Sequence, residues 1–337
     1  MAKQKIVFFV CLMAFVLLGY EQVESKNLQV ARKMKGEWRE LFQVKQEKRY
    51  GYIDRKGEYV INPQFKEAYS FYEGLARVEI DKRYGFINEK GEIAINPQFD
   101  EAYDFCDGLA VVKIGKLYGY IDKNGDYAIS PQFDEAYIFF DGLARVQIEK
   151  RYGFIDRKGN YVINPQFKDA YDFPEGLAAV AVGKLYGYID NTGKIVINPQ
   201  FDEAFEFSEG LAVVKIGKRY AYINKQGQYA VKPQFKEAYS FRNGLARVLV
   251  EKRYGYIDQK GEYVINPQFD DAFDFSEDLA VVKVGKLYGY IDKNGKYVIN
   301  PQFDEANDFY GGLAAVEIGK RECYINKKGE YIWTSEK

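Results

Sequence analysis

Residues 84–99 contain the pattern that decides the fold: Tyr-Gly-Phe-Ile-Asn-Glu-Lys-Gly-Glu-Ile-Ala-Ile-Asn-Pro-Gln-Phe. The pattern returns every 34 residues without insertion, and its first tyrosine recurs as Tyr50, Tyr84, Tyr118, Tyr152, Tyr186, Tyr220, Tyr254 and Tyr288. Eight units of 34 residues fill positions 41–312, and Leu313–Lys337 forms a truncated ninth. A fixed period of this size is typical of solenoids, propellers and related arrays.

Within a unit the apolar residues follow the two-residue period of strands. In Leu75 to Ile80, apolar residues alternate with Arg77 and Glu79, and Asp81-Lys82 fits a two-residue hairpin turn. We expect Asn96-Pro97 to end the third strand, because proline cannot donate to a strand ladder. The following stretch, 99–105, is open to a fourth strand or a single helical turn. Each unit is therefore predicted to be a small antiparallel meander of three or four strands.

These meanders can associate in two ways. In a propeller the chain must cross from the outer strand of one blade to the inner strand of the next, and the segment Asn-Pro-Gln-Phe-Asp is just long enough when extended. We expect an all-β tandem array over residues 41–337 and favour a propeller-like ring. The alternative is an open β-superhelix, or solenoid, whose first repeat is capped by a predicted helix over residues 26–40.

The N-terminus carries the features of a secretory signal. Lys3 and Lys5 precede an apolar run from Ile6 to Leu18, and Val23 and Ser25 suit cleavage before Lys26. The run is shorter than a membrane-spanning helix requires, although an uncleaved anchor stays open as the alternative. We therefore predict a signal peptide over residues 1–25 and a secreted, periplasmic or cell-envelope protein.

The repeat resembles the WG-repeat family, also called KWG repeats, over residues 41–337. The motifs that carry the resemblance are Lys116 to Asp122, Ile129 to Ala136, and Asp141 to Ala144, in the family's order and spacing. Seven units carry Tyr-Gly where the family has Trp-Gly. The resemblance implies a repeat scaffold and no particular activity, because the family is defined by its repeat.

Composition removes most catalytic chemistry. The chain has no histidine, which excludes Ser-His and Cys-His nucleophile systems and histidine metal sites. The positions that break the repeat, such as Ala221, Lys232 and Cys323, form no set of acid, base and nucleophile. The loop Asp122 to Asp126 lacks the ligand spacing of a calcium site and reads as a hairpin turn. We expect no enzyme activity, no cofactor and no metal.

Two groups of residues are candidates for binding. Tyrosine and phenylalanine recur about six times per unit, and most of them should fill the space between repeats, leaving a minority exposed. Three units also carry arginine pairs at positions where a repeat protein places selectivity. These candidate ligand-binding residues are Arg77, Arg83, Arg145, Arg151, Arg247 and Arg253. Ion pairs with Asp81, Glu149 and Glu251 in the intervening turns are the competing interpretation.

The sequence therefore predicts an exported, non-enzymatic scaffold that binds a protein or a cell-envelope glycan. The alternative is a glycosidase-like enzyme on the same scaffold, since carboxylates abound. With 48 Lys and Arg against 49 Asp and Glu, the net charge of -1 gives no basis for expecting nucleic acid as a partner. No membrane contact is expected beyond the N-terminal segment.

Overall fold

The computed structural model describes residues 40–335. The predicted signal segment over 1–25 and the predicted helix over 26–40 lie outside the described residues, apart from Glu40. The described chain forms nine antiparallel sheets arranged as a nine-bladed β-propeller, so the ring that the sequence favours is confirmed. No helix between residues 40 and 335 is long and apolar enough to cross a membrane.

Each blade has up to four strands, which we call inner, second, third and outer. The inner strands are Glu67–Tyr72, Glu101–Ala102, Glu135–Phe140, Glu203–Ser208, Glu237–Ala238, Asp271–Ala272 and Glu305–Ala306. The second strands are Phe42–Gln46, Leu75–Ile80, Ala110–Ile114, Leu143–Ile148, Leu177–Val182, Leu211–Ile216, Ala246–Val250, Ala280–Val284 and Leu313–Ile318. The third strands are Arg49–Ile53, Arg83–Asn88, Leu117–Ile121, Arg151–Ile155, Leu185–Asp190, Arg219–Asn224, Arg253–Ile257, Leu287–Ile291 and Arg321–Asn326. The outer strands are Tyr59–Phe65, Ile93–Phe99, Tyr127–Phe133, Tyr161–Phe167, Ile195–Phe201, Tyr229–Phe235, Tyr263–Phe269, Tyr297–Phe303 and Tyr331–Thr334.

The outer strand differs from the sequence prediction, because it does not end at Asn-Pro. In the second blade it continues through Pro97 to Phe99, and the single residue Asp100 separates it from the next inner strand. Proline is tolerated because this strand is the edge of its sheet, where a missing N–H removes no ladder bond on the open side. The stretch after it forms the inner strand, with only an isolated bridge at Ala170 in the fifth blade.

The outer strand shifts register as it passes the Tyr-Gly pair. Tyr84 pairs with Phe99, whereas Phe86 pairs with Ile95, so extra residues bulge out opposite Gly85. A Cβ on Gly85 would lie 2.6 Å from the Ile95 carbonyl oxygen and 2.7 Å from the Pro97 nitrogen. Seven blades share this close approach, with Cβ-to-carbonyl distances of 2.5–2.6 Å. In these seven blades a side chain on the glycine would collide with the outer-strand backbone unless that strand moved.

Large side chains of one blade pack on small side chains of the next. Phe86, Ile95 and Phe99 of the second blade meet Ala102 and Ala110 of the third. The second tyrosine of the Tyr-Gly-Tyr motif, or of Tyr-Ala-Tyr in the sixth blade, is fully buried in six blades. Its hydroxyl donates to a carbonyl in or next to the inner strand of the following blade, as from Tyr188 to Phe205 at 2.8 Å. The prediction that most aromatic residues fill the space between repeats is thus confirmed.

The ring closes by packing of the first blade on the ninth. Phe42 and Tyr324 lie edge to face with ring centroids 5.6 Å apart, and the Tyr324 hydroxyl donates to the Gln43 carbonyl at 2.8 Å. Trp333 contributes to the same seam through its indole N–H, which lies 3.4 Å from the Tyr59 hydroxyl. Every sheet of the described chain consists of consecutive strands, so the closing blades share no strand.

We expect Gly187→Ala to lower the free energy of unfolding by about 2 kcal/mol, because its Cβ would lie 2.5 Å from the Ile197 carbonyl oxygen. The matched control is Ala221→Gly in the next blade, which should cost about 1 kcal/mol or less through backbone entropy. Urea denaturation of the two variants measures both values. Equal effects would show that the close approach does not constrain this position.

Candidate binding surfaces

The structure shows which aromatic side chains are exposed. The first residue of every outer strand lies at the outer rim, and these nine residues, which we call the tyrosine girdle, are Tyr59, Ile93, Tyr127, Tyr161, Ile195, Tyr229, Tyr263, Tyr297 and Tyr331. Their exposed fractions run from 37% to 52%, whereas the second tyrosine of each Tyr-Gly-Tyr motif is buried. Exposed valines, such as Val162 and Val264, follow directly on the same strands. The rim is therefore a continuous aromatic and aliphatic band.

Girdle tyrosines contact residues of the preceding blade, as Tyr297 does, or of their own blade, as Tyr59 does. The Tyr297 ring lies edge on to Phe269 of the preceding blade, with centroids 6.5 Å apart. The Tyr59 hydroxyl donates to Gln46 Oε1 at 2.6 Å. One ring face is thus supported by protein and the remainder meets solvent, which is the arrangement in which tyrosine stacks on a ligand at low entropic cost.

Arg77, Arg145 and Arg247 lie between blades and not on a free surface. The guanidinium groups stack 3.6, 3.8 and 3.6 Å from the ring centres of Tyr69, Tyr137 and Tyr239 in their own blades. Each also donates to an alanine carbonyl of the next inner strand: Ala102, Ala170 and Ala272. Gln43 holds the same position in the first blade and donates to the Ala68 carbonyl at 2.7 Å.

A carboxylate of the next blade completes each arginine site. Arg77 Nε lies 3.8 Å from Asp104 Oδ1, Arg145 Nε lies 3.6 Å from Asp172 Oδ1, and Arg247 Nε lies 3.5 Å from Asp274 Oδ1. Burial raises the pKa of Asp104 and Asp172, and the adjacent arginine opposes that rise. These arginines tie neighbouring blades together, a role that the sequence did not indicate.

The other three arginines are exposed at the hairpin between the second and third strands. Arg83 and Arg253 pair with Asp100 and Asp270, and Arg151 Nη1 lies 3.5 Å from the Gln166 carbonyl oxygen. Within residues 40–335, no ion pair joins any of the six arginines to the turn residues Asp81, Glu149 and Glu251. Each of the three predicted arginine pairs thus contains one arginine between blades and one exposed arginine. Ligand binding by them stays a prediction.

Two further carboxylates line the inner strands without an arginine of their own. Glu206 accepts from the Asp172 backbone N–H at 3.3 Å, and burial raises its pKa. Burial, followed by the charge of Asp274, raises the pKa of Asp308 to about 6. Asp308 Oδ1 is buried and accepts no hydrogen bond within the described chain. For both acids, burial and a nearby like charge disfavour the ionised carboxylate. At Asp308 this lowers the stability of the ring, with the full loss present once the pH rises above about 6.

The loop from Asp122 to Asp126 is a hairpin turn, because Asp122 Oδ1 accepts from the backbone amides of Asn124 and Asp126 at 2.9 and 3.0 Å. Over residues 40–335, no group of three or more Asp, Glu or Cys side chains is placed to hold a metal ion.

The repeat is matched by a family model described as the WG containing repeat. The matches cover 50–84, 84–118, 118–152, 152–186, 186–220, 220–254, 254–288 and 288–321 without a gap. The chain belongs to the WG-repeat family. In this WG-repeat protein the glycine of the name-pair is the residue over which the outer strand passes, and tyrosine replaces the tryptophan.

Comparison with solved structures gives matches of low sequence identity to this WG-repeat protein. A crystal structure of the eukaryotic initiation factor matches with a TM-score of 0.61 and 13% identity, over 88% of this chain and 96% of that one. The dihydro-heme d1 dehydrogenase NirN has a TM-score of 0.45 and 10% identity, over 77% of this chain and 72% of that one. PorZ of Porphyromonas gingivalis has a TM-score of 0.33 and 9% identity, over 89% of this chain and 52% of that one. No curated protein sequence matches the chain.

Arg145→Met should lower the free energy of unfolding by about 3 kcal/mol, because it leaves Asp172 buried without its counter-charge. The loss should be smaller at about pH 4.5 than at about pH 7.5, since protonation then relieves the unpaired carboxylate. Urea denaturation at the two pH values measures this, with exposed Arg151→Met as the control of little effect. An equal loss for both variants would contradict the tie between blades.

Asp308→Asn should raise the free energy of unfolding near pH 7.5 by about 1 to 2 kcal/mol. The native pKa of about 6 lies above the unfolded value of about 3.9, so the native state binds its proton more tightly and loses stability as pH rises between them. The gain should vanish near about pH 4, where the aspartate is neutral in the native state. Thermal denaturation across this range tests the prediction, and a gain independent of pH would refute it.

Proposed function

We propose that the protein is an exported, non-enzymatic scaffold that binds a cell-envelope glycan through the tyrosine girdle. The observation that carries this proposal is the girdle itself: nine equivalent rim positions, seven of them tyrosine, each about half exposed. A half-exposed large apolar side chain at every repeat is a costly surface for a protein to keep in water, and large exposed apolar patches mark interaction sites. Sugar rings present apolar C–H faces that stack on aromatic rings of this kind.

The repeat geometry suits a polymer with a repeating structure. Consecutive blades present the same ring in the same setting, so a chain molecule lying along the rim meets a regular series of weak sites. Several such contacts on one polymer combine through high effective concentration, which gives useful avidity without a deep pocket. A protein partner is the other class that the sequence favours, and it would use the same exposed tyrosines as anchors.

The remaining chemistry supports binding without turnover. The chain has no histidine, and the buried carboxylates of the inner strands are mostly engaged by arginines, as Asp104 and Asp172 are. The repeat β-propeller scaffold fits a non-enzymatic binding role. The basis for export is the N-terminal segment, with Lys3 and Lys5 ahead of its apolar run.

The experiment compares Tyr127→Ala/Tyr161→Ala, in adjacent blades, with the matched control Tyr127→Phe/Tyr161→Phe. The alanine variant should bind purified cell-wall polysaccharide about tenfold more weakly in affinity electrophoresis, because two stacking faces are lost. The phenylalanine variant keeps both faces and should bind within about twofold of the parent. Both variants should keep the parental melting temperature, since these side chains are 47% and 41% exposed.

Three outcomes would contradict the proposal. Equal binding by both variants would remove the girdle as the site, and catalytic release of reducing sugars would identify an enzyme. Binding of an envelope protein, with no polysaccharide bound, would move the function to the protein class. N-terminal sequencing of the protein recovered from medium or envelope should begin near Lys26, and an intact Met1 on a cytosolic species would refute export.

A further inference from the structure

The hairpin between the second and third strands ends in lysine in every blade. These nine residues, which we call the lysine face, are Lys48, Lys82, Lys116, Lys150, Lys184, Lys218, Lys252, Lys286 and Lys320. All nine are exposed, and none forms an ion pair with any residue of the described chain. Every hairpin has a two-residue turn, so the nine tips occupy equivalent positions in their blades and lie on the same side of the ring.

The turn itself does not favour lysine. Lys48, Lys82, Lys150 and Lys320 have φ angles of 64°, 66°, 61° and 70°, in the left-handed region where glycine or asparagine is preferred. A long cationic side chain at such a position adds no hydrogen bond to the hairpin. In these four turns the backbone does not explain the choice of lysine, and its recurrence in all nine blades directs attention to the surface that the lysines form.

Charge is concentrated at these tips although the chain as a whole is nearly neutral. The nine four-residue tips, from 46–49 to 318–321, hold nine lysines and six arginines against four carboxylates. Aspartates lie behind the tips and are used locally: Asp100 Oδ2 accepts from the Gly115 N–H at 2.7 Å and Asp202 Oδ2 from the Gly217 N–H at 2.6 Å. The outermost layer is thus strongly cationic.

Three tips of the lysine face are apolar on both sides of the lysine. In the third, fifth and eighth blades an aliphatic pair flanks Gly-Lys, and each side chain is 37% to 44% exposed: Ile114 and Leu117, Val182 and Leu185, Val284 and Leu287. Six other blades place arginine where these have leucine. The three apolar tips lie in separate blades around the ring, so exposed aliphatic side chains alternate with lysine and arginine on this face.

An open pocket at the seventh hairpin adds a site for a single anion. It has a volume of about 540 Å³ and is lined by Lys236, Lys252 and Arg253 with Val250, Pro267 and one carboxylate, Glu251. Lys236 and Lys252 beside apolar side chains suit a phosphate attached to a less polar group, whereas Arg253 is already paired with Asp270.

We propose that the lysine face docks on an anionic lipid bilayer. A bilayer surface is flat, carries phosphate charge, and has an apolar interior within reach of short aliphatic tips. A soluble polyanion would satisfy the lysines and leave the three apolar tips in water. Docking in this way leaves the tyrosine girdle free at the rim, so the inference goes beyond the proposed function and uses different residues.

The test is co-sedimentation of the full chain with phosphatidylcholine vesicles, with and without phosphatidylglycerol. The parent should sediment with the anionic vesicles, and added salt should weaken its binding. Lys116→Gln/Lys184→Gln/Lys286→Gln should weaken that binding about tenfold or more, since each lysine near an anionic surface contributes separately. Leu117→Ser/Leu185→Ser/Leu287→Ser, which keeps every charge, should also weaken it several-fold. The N-terminal segment is present in the parent and in every variant, so it does not account for differences in vesicle binding between them.

The matched control removes three exposed lysines from turns at the opposite end of the blades: Lys90→Gln/Lys158→Gln/Lys260→Gln. It should bind anionic vesicles within about twofold of the parent, because the docking end is unchanged. Equal loss in this control, or no sedimentation of the parent, would overturn the proposal. Full competition by soluble polyglutamate, with no effect of the serine variant, would assign the face to a polyanion and overturn it as well. If vesicle binding is not observed, the proposal that the girdle binds polysaccharide still stands. If polysaccharide binding is not observed, the proposal of vesicle binding by the lysine face still stands.

Discussion

The propeller depends on one close approach, in which the outer strand of each blade passes directly over the glycine of the Tyr-Gly pair. A Cβ there would stand 2.5–2.6 Å from a carbonyl oxygen in seven blades. This approach allows the outer strand to bulge, to shift register and to deliver the chain to the next blade with a single connecting residue such as Asp100. The two blades without glycine also differ in outer-strand sequence, although the register in the sixth blade is unchanged. Val231-Lys232 lies opposite Ala221, and Thr334, in a strand without proline, pairs with Cys323.

Coupling between blades rests on tyrosine hydroxyls and on arginines that reach across the seam. Both kinds of side chain donate to backbone carbonyl oxygens in the inner-strand region of the next blade. Tyr188 donates to Phe205, and Arg145 donates to Ala170. The inner strands are short and irregular, so their carbonyls are not all used within their own sheet. Side chains of the preceding blade satisfy them, which is how a strand of two residues stays in place.

The sequence predicts the repeat, the hairpins and the all-β class because these follow from local period and turn chemistry. It does not predict that the outer strand continues through Pro97, since that depends on the strand being an edge in three dimensions. Arg77 looks like a surface residue because it alternates with apolar neighbours; its burial arises only when the next blade covers it. The relation between Ala221 and Lys232 is hidden for the same reason, as they meet across a bulge. Which tyrosines are exposed follows from their radial position, which composition does not encode.

The seam between the first and ninth blades has a consequence for how such rings change in evolution. Within residues 40–335 the closing blades share no strand, so this seam, like the eight others, is formed by side-chain packing. It differs in one contact, because the Tyr324 hydroxyl donates to the second strand of the first blade and not to an inner strand. If one unit of 34 residues is gained or lost, the first and last blades each remain a separate sheet. A propeller of this design can therefore change its blade number by gene duplication without inventing a new closure.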